Sequence, residues 1–259
     1  MRRDVLDLRA FYASPLGQAA RAMLQAKIGE AWGGCANLDV LGLGYATPFL
    51  GEALNKARRA IAVSPAAQGV EVWPQTQRNL AVLADEEALP FAQSLFDRVL
   101  AVHALEEAGD PLRLMQEISR VLSPSGRVIV AVAARHGLWT HAEKTPFGHG
   151  RPYTRRQLET LLIDAELEPT GWTRALYVPP VAWAANWAEG IEQIGARLWP
   201  GFSGVILMEA VKPMFAVRPQ GKPVRARVFA PVLSPAGAPI PTANSPARRC
   251  ALGGTRRTP

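Results

Sequence analysis

Residues 38–46 read LDVLGLGYA, a short apolar run that ends in two glycines one residue apart. The run is too short for a helix, and the residues beyond it, from about Thr47 to Lys56, have a helical pattern. We therefore predict a strand, a glycine turn and a helix. A side chain at Gly42 or Gly44 would hold a ligand away from the backbone and obstruct a positive φ. Taken alone, the turn also suits a nicotinamide or flavin enzyme, or a purely structural role.

Similar short apolar runs recur along the chain and alternate with helical segments. This alternation predicts a Rossmann-like α/β fold, a mostly parallel sheet with helices on both faces. The predicted strands are Leu38–Leu41, Ala60–Val63, Asn79–Leu83, Arg98–Val102, Arg127–Val132, Glu168–Tyr177 and Gly204–Val211. The predicted helices are Pro15–Trp32, which Gly33 and Gly34 end, Pro111–Leu122, which the turn at 123–126 ends, and Thr154–Ala165.

The length and the apolar pattern divide the chain into three parts. With 259 residues and 48% hydrophobic content, the chain can form one domain with a full core and a further segment. We predict that residues 1–37 form a helical segment packed on the core and that residues 38–214 form the main domain. An aromatic insertion at 179–200 carries Trp183 and Trp187, whose i, i+4 spacing favours a core position over a substrate lid.

The net charge of +7 comes from the C-terminal residues. Residues 216–259 contain eight basic and no acidic side chains, so the preceding residues carry a net charge of −1. The same stretch has eight of the 22 prolines and one aromatic residue, a composition that favours disorder. We predict a disordered basic tail over residues 215–259 that can contact anionic partners. The near-neutral core does not favour nucleic acid as a partner.

The cysteines and the hydropathy pattern bear on the compartment. Cys35 and Cys250 are the two cysteines, far apart in sequence and without the spacing of a zinc site. Because no disulfide framework is indicated, a reducing compartment is expected. No apolar stretch reaches the length of a membrane span. We therefore expect a cytoplasmic protein.

Three further blocks carry a family resemblance. They are ADEEALPF at residues 84–91, LFDRV at 95–99 and EISRVLSPSG at 117–126. In this order they resemble the class I S-adenosylmethionine-dependent methyltransferases of the type 11 kind. The resemblance runs from about Asp39 to Glu168 and more loosely to Lys212. It implies a seven-stranded sheet whose last strand is antiparallel.

The resemblance also implies roles for particular residues of this chain. Gly42, Gly44 and Ala46 would line the methionine and ribose part of S-adenosylmethionine, with Ser64 at the ribose position. Asp85 would accept a hydrogen bond from the adenine amine, with Glu86 beside it. His103 and Ala104 would lie next to the sulfonium. Asp97 and Arg120 are expected to be structural.

Three positions of the chain depart from the family pattern. Val40 stands where an acidic residue is expected two residues before the first glycine, and Ala46 replaces the third glycine. Ser64 stands where an acidic residue would accept hydrogen bonds from both ribose hydroxyls. Charge-assisted hydrogen bonds are roughly twice as strong as neutral ones. We therefore predict weakened cofactor binding, or none, unless Asp39 or Glu71 compensates.

Substrate contacts are expected in the loop after the fifth strand. His136, Trp139 and His141 are the substrate candidates, in a loop that either closes over the cofactor or packs without a direct role. The spacing of the histidines matches no metal motif, so no metal site is expected. Methyl transfer needs proximity and orientation, with a general base only where the acceptor loses a proton.

Two functions from different classes follow from these observations. The first is a methyltransferase that acts on a small molecule, with S-adenosylmethionine as cofactor. The alternative is a catalytically silent protein of the same fold with a binding or regulatory role, which the altered positions Val40 and Ser64 suggest. A nicotinamide-dependent oxidoreductase is disfavoured because no acidic residue ends the second strand.

Overall fold

The computed structural model describes residues 2–181, 203–214 and 227–228 of the chain. Within these residues the strands form a single sheet in the order β3-β2-β1-β4-β5-β7-β6-β8. The strands are β1 Asp39–Gly44, β2 Arg59–Pro65, β3 Ala81–Ala84, β4 Phe96–Val102, β5 Leu122–Ala133, β6 Glu168–Ala175, β7 Val205–Val211 and β8 Arg227–Val228.

The directions of the strands confirm the predicted fold class. Strands β1 to β5 pair in parallel, whereas β7 pairs antiparallel with both β5 and β6. The first seven strands therefore form the mostly parallel sheet with an antiparallel last strand that the resemblance implied. The two-residue β8 adds a short parallel partner to β6.

The helices begin and end at residues suited to these positions. They are α1 Val5–Ala13, α2 Pro15–Trp32, α3 Gly51–Lys56, α4 Pro111–Val121 and α5 Arg155–Asp164. The side chain of Asp110 accepts from two backbone N–H groups at the start of α4, and Thr154 forms a capping box with Gln157 at the start of α5. The predicted helices at 15–32, 111–122 and 154–165 are confirmed within one residue at each end.

Apolar side chains pack on both faces of the sheet. One face is covered by α1 and α2, which bury residues such as Leu8, Leu24 and Ile28. The other is covered by α4 and α5, which bury residues such as Ile118 and Leu158. Each fully buried aliphatic side chain of this kind contributes about 1.5–3 kcal/mol to stability. The covered faces explain why the strands are continuous apolar runs.

Some boundaries and elements differ from the sequence-based predictions. Helix α1 was not predicted; Asp4 caps its start, and it buries Val5, Leu8, Phe11 and Tyr12. The helix predicted at 47–56 is a 3-10 turn, Thr47–Phe49, followed by the short α3. Strand β5 begins at Leu122, so the predicted turn at 123–126 belongs to the strand, where Ser125 has a φ of 62°.

The C-terminal predictions lie mostly outside the described residues. These include the tryptophans of the insertion, at 183, 187 and 199, and the tail apart from residues 227–228. Those two residues are an exception to the predicted disorder, because they pair with Gly171 and Trp172. The outer edge of β6 offers free backbone hydrogen-bonding groups, which a passing segment can satisfy.

The two residues of an ion pair on α4 form hydrogen bonds to the loop before β4. The guanidinium of Arg120 donates to both carboxylate oxygens of Glu117 and to the carbonyl oxygens of Leu89 and Phe91. The carboxylate of Glu117 in turn accepts from the N–H of Leu89 at 2.9 Å. The family blocks at 84–91 and 117–126 thus contact each other directly. The predicted structural role of Arg120 matches these contacts.

The variant Glu117→Gln is expected to lower the free energy of unfolding by about 1–3 kcal/mol, because it replaces a charged acceptor by a neutral one. The Arg120 guanidinium lowers the pKa of Glu117 below its ordinary value of 4.5. A lowered folded-state pKa stabilises the fold above the ordinary value, and this contribution is lost as the pH falls through the folded value. Urea unfolding of both proteins at neutral and acidic pH measures the difference.

The control for this prediction is Lys56→Ala, which removes an exposed ion pair with Glu52 on α3. It should change the free energy of unfolding by less than about 0.5 kcal/mol. Equal changes in the free energy of unfolding for the two variants would contradict a stabilising role of the contacts between Glu117 and Arg120.

Candidate functional site

The predicted cofactor residues come together at one edge of the sheet. Because β1 to β4 run in parallel, their carboxyl ends meet there, and open α/β sheets bind ligands at this edge. Gly44 ends β1, Ser64 lies at the end of β2, Asp85 follows β3 and His103 follows β4.

The glycine turn after β1 is pressed against β4. Gly44 has a φ of 77°, and a Cβ atom placed there would lie 2.3 Å from the carbonyl oxygen of Val102. The same oxygen accepts a hydrogen bond from the N–H of Tyr45 at 2.8 Å. At Gly42 a Cβ atom would lie 2.5 Å from the side chain of Leu50. Both glycines are therefore required by the packing of the chain on itself.

The two acidic residues after β3 have different surroundings. Asp85 is exposed, and one of its carboxylate oxygens accepts the N–H of Glu87 at 2.9 Å. Glu86 is buried and forms an ion pair with the guanidinium of Arg2 at 2.5 Å. Burial raises the pKa of Glu86, and Arg2 opposes this shift. Asp85 thus has an oxygen free for a ligand, whereas Glu86 is already paired.

The first residues of the chain lie across this edge. We call residues 2–13 the N-terminal strap. Arg2 also donates to the carbonyl oxygen of Ala104 at 2.6 Å. The N–H of Val5 donates to the carbonyl oxygen of Gln68, whose side chain donates to the carbonyl oxygen of Gly44. The strap is therefore connected to the loops after β1, β2, β3 and β4.

Aromatic side chains complete the contact between the strap and the sheet edge. The ring of Tyr12 stacks on Tyr45, with 5.7 Å between centroids, and meets Phe49 edge-on. The hydroxyl of Tyr12 and Nε2 of His103 are hydrogen-bonded at 2.8 Å. Burial, with a smaller effect of Arg3, lowers the pKa of His103 to about 3. The imidazole of His103 is therefore neutral at physiological pH.

The structure separates the two residues considered as substitutes for the missing acids. Asp39 lies at the amino end of β1, the opposite edge from Gly44, and its carboxylate pairs with Arg58 at 2.6 Å. It cannot compensate for Val40 or Ser64. Glu71 accepts a hydrogen bond from the hydroxyl of Tyr45 at 3.0 Å. Its other oxygen is buried and accepts no hydrogen bond within the described part of the chain.

The substrate candidates do not converge on one surface. His136 and His141 are exposed, whereas Trp139 is fully buried. The indole N–H of Trp139 donates to the carbonyl oxygen of Val178 at 2.7 Å, and its ring meets Phe147 edge-on. As placed, Trp139 has no surface to offer a ligand. Its large apolar ring is used to pack the loop against the sheet.

Several residues of this edge were not identified from the sequence. Arg2 and Tyr12 contact the predicted cofactor residues because the strap folds back over the sheet, and Gln68 contacts Gly44 from the loop after β2. A sequence signal was available for α1, since Asp4 precedes a segment with Val5, Leu8, Phe11 and Tyr12 at helical spacing. No such signal relates Arg2 to Glu86, because the contact joins residues 84 positions apart.

The described ranges contain neither a cluster of metal ligands nor a membrane-spanning helix. Residues 2–181, 203–214 and 227–228 contain no group of three or more His, Cys, Asp or Glu that could hold a metal ion. Among the helices of the same ranges, none is long and apolar enough to cross a membrane.

Comparison with known proteins finds a family model that matches part of the main domain. Residues 38–130 match the family described as "Methyltransferase domain". Over these residues the chain is similar to methyltransferase domains, and its sheet has the Rossmann-like topology of the class I methyltransferase fold. The match spans the glycine turn, the acidic residues after β3 and the Arg120 contacts, which are the blocks that carried the resemblance. No curated protein is similar to the chain in sequence at a significant level.

Solved structures share the fold of the methyltransferase domain at low sequence identity. A chain from a complex that contains the Haloferax volcanii Trm112 methyltransferase activator is 19% identical, with a TM-score of 0.58 over 82% of this chain and 100% of that one. An S-adenosylmethionine-dependent methyltransferase from Mesorhizobium loti is 14% identical, with a TM-score of 0.53 over 78% and 99%. The [4+2]-cyclase SpnF is 20% identical, with a TM-score of 0.55 over 77% and 83%.

The variant Gly44→Ala tests the close approach of β1 to β4. It should lower the free energy of unfolding by at least about 2 kcal/mol, because the methyl group meets a backbone carbonyl at a positive φ. The matched control is Gly29→Ala in α2, where a Cβ atom meets nothing within 4 Å. That variant should be stabilised by about 0.5–1 kcal/mol. Urea unfolding measures both, and a neutral Gly44→Ala would contradict the close approach.

Proposed function

We propose that the chain is a cytoplasmic S-adenosylmethionine-dependent methyltransferase that acts on a small molecule. The observation that carries the proposal is the meeting of Gly44, Asp85 and His103 at the carboxyl edge of a class I methyltransferase sheet. The free, buried thiol of Cys35 suits the reducing compartment.

The residues at the strand ends fit S-adenosylmethionine in their chemistry. The free oxygen of Asp85 would accept from the adenine amine, and the turn at Gly42, Gly44 and Ala46 would hold the methionine part. At the ribose position, Ser64 offers one hydroxyl. Oε2 of Glu71, farther along the same loop, accepts no hydrogen bond among the described residues and lies 3.9 Å from the guanidinium of Arg9, so it is a further acceptor that supports ribose binding. When bound, S-adenosylmethionine supplies an electrophilic methyl group.

The neutral state of His103 supports a place beside a cation. Burial keeps the pKa of His103 at about 3, so the imidazole carries no charge at neutral pH. A protonated histidine would repel the positive charge of a sulfonium, whereas a neutral one does not. Ala104 adds a small side chain next to it. The pair therefore suits the methyl-bearing end of the ligand.

The N-terminal strap would act as a cover of the cofactor site. Tyr12 lies between Tyr45 and His103, and Arg2 holds Glu86, so the strap has to move for a ligand to reach these residues. Covers that close over a bound ligand exclude water and are common in enzymes. In this proposal, the strap opens to exchange the cofactor and closes again over it.

A second candidate is a catalytically silent protein that uses the fold for binding or regulation. The internal hydrogen bonds of the strap favour it, because Arg2 and Gln68 already satisfy groups at the strand ends. The serine at position 64, where the family pattern has an acidic residue, also favours the silent protein. A shared fold does not establish the reaction, and the similar SpnF is named as a [4+2]-cyclase.

Calorimetric titration with S-adenosylhomocysteine separates these two functions. The methyltransferase is expected to bind it in the micromolar range, and Asp85→Ala should weaken binding at least about tenfold, since a hydrogen bond to a charged group is lost. Asp164→Ala, an acidic residue on α5 outside the proposed site, is the control and should bind normally. Absence of binding at millimolar ligand would support the silent protein instead.

The role of the strap is tested by Arg2→Ala in the same titration. If Arg2 competes with the ligand for the adenine side, removing it should increase the affinity for S-adenosylhomocysteine, by up to about tenfold. Arg21→Ala, an exposed residue of α2, should leave the affinity unchanged. A loss of affinity in Arg2→Ala would mean that Arg2 belongs to the binding site and does not oppose binding.

A further inference from the structure

A cavity of about 380 Å³ lies beside the loop that follows β4. It is lined by Arg2 of the strap, by residues 106–108 of that loop and by residues 149–151, which precede α5. Glu106, which lines the cavity, is only three residues beyond His103 along the chain. Its volume falls at the lower end of the range for small-molecule sites.

Two of the residues lining the cavity have buried polar atoms without a partner. Oε2 of Glu106 and Nε of Arg2 are inaccessible and form no hydrogen bond among the described residues. Glu106 is 5% exposed, and the side chain of Arg2 is 4% exposed. A buried polar group without a partner costs about 1–3 kcal/mol, more if it is charged. One orphan atom is an acceptor and the other a donor, so a ligand that offers both would satisfy them.

The carboxylate of Glu106 is held in place by the backbone around it. Its Oε1 accepts the N–H of Ala133 at the end of β5, at 3.0 Å. Its backbone carbonyl accepts the N–H of Arg151 at 2.7 Å. Gly150 allows this approach, because a Cβ atom there would lie 2.4 Å from the same carbonyl oxygen and its φ is 73°. The loop is therefore closed against Glu106, with one carboxylate oxygen unused.

The cavity is lined by charged groups of both signs, two guanidinium groups and two carboxylates. Arg2 and Arg151 line it together with His149, whose Nε2 lies within hydrogen-bonding distance of the guanidinium of Arg3 and the carbonyl oxygen of Glu143. Glu107 contributes a carboxylate, one oxygen of which accepts the N–H of Arg3 at 2.9 Å. The cavity thus offers guanidinium groups for an anion and a carboxylate for a donor.

We propose that this cavity binds the methyl acceptor, a small carboxylic acid that also bears an amine or hydroxyl group. Arg2 and Arg151 bind its carboxylate, and Glu106 is the general base that accepts the proton of its amine or hydroxyl. The inference rests on the proposed methyltransferase function. It also gives the strap a role in acceptor binding, because Arg2 lines the cavity only while the strap is closed.

The transfer balances with these groups. A lone pair on the nitrogen or oxygen of the acceptor forms the bond to the methyl carbon. The carbon–sulfur bond of S-adenosylmethionine breaks, and its electron pair remains on sulfur. The proton of the acceptor passes to the carboxylate of Glu106. No oxidant or metal ion is required, and a carboxylate held within reach of the acceptor is sufficient as a base.

The acid–base behaviour of Glu106 suits this role. Burial raises its pKa to about 7, although the N–H of Ala133 and Arg2 oppose the shift. The titratable and charged groups around it are Arg2, Glu107, Tyr12, His149, Arg151 and Tyr153. Burial also raises the pKa of Tyr153 to about 12, so that this hydroxyl stays protonated. Glu106 is thus placed to exchange a proton near neutral pH.

Binding of three probes tests the site without any methyl donor. 4-Aminobenzoate carries both groups, benzoate lacks the amine and aniline lacks the carboxylate. Calorimetry or ligand-observed NMR with the full chain should show 4-aminobenzoate binding about tenfold more tightly than either control. Glu106→Gln should remove its advantage over benzoate, and Arg2→Ala should remove its advantage over aniline. Equal binding of the three probes, or no effect of Glu106→Gln, would overturn the proposal.

Melting temperatures between pH 5 and 8 supply a readout that does not depend on any ligand. Glu106→Gln keeps the acceptor for Ala133 but cannot ionise. Because the folded-state pKa of Glu106 is raised, its contribution to stability is lost as the pH rises through about 7. The wild-type protein should therefore melt progressively lower than the variant as the pH rises. Parallel curves would mean that Glu106 does not titrate in this range, and this result would contradict its role as the general base.

The two proposals can fail separately. Binding of S-adenosylhomocysteine together with equal binding of the three probes would overturn the acceptor site and leave the methyltransferase proposal standing. The reverse result, selective probe binding without any binding of S-adenosylhomocysteine, would overturn the methyltransferase proposal. It would also show that Glu106 and Arg2 form a binding site without serving methyl transfer, which contradicts the role of Glu106 as base.

Discussion

The close approach of the β1 turn to β4 is the constraint on which the candidate site depends. At Gly44 there is no room for a side chain, and the carbonyl oxygen of Val102 binds the next N–H of the turn. This contact brings the end of β1 to the start of the loop that carries His103 and Glu106. The proposed cofactor and acceptor positions are neighbours for this reason.

The N-terminal strap couples these two positions. Arg2 contacts Glu86 and the carbonyl of Ala104 on the cofactor side, and it also lines the cavity next to Glu106. A single side chain thus participates in closing one site and completing the other. Such an arrangement favours an order of events in which the cofactor binds first and the acceptor enters after the strap closes.

The family signature and the chemistry of the site are carried by different residues. The blocks that identify the domain contact each other through Arg120, Glu117 and the backbone of Leu89, far along the chain from the glycine turn. Selection for folding alone would preserve them. Val40 and Ser64, which stand where the resemblance implies acidic residues, carry no charge. The fold can therefore be intact whether or not the reaction is retained.

Sequence patterns predicted the succession of strands and helices from α2 to β7, the glycine turn and the resemblance to methyltransferases. These features depend on hydrophobic periodicity and on residues close together in the chain, such as Gly42 with Gly44 or Asp110 before α4. The set of residues that surrounds the site follows instead from tertiary packing. Arg2 reaches Glu86, and Asp39 faces the opposite edge from Gly44, because packing joins distant segments. For the same reason, the sequence alone did not indicate that Trp139 is buried or that Glu106 keeps an unpaired carboxylate oxygen.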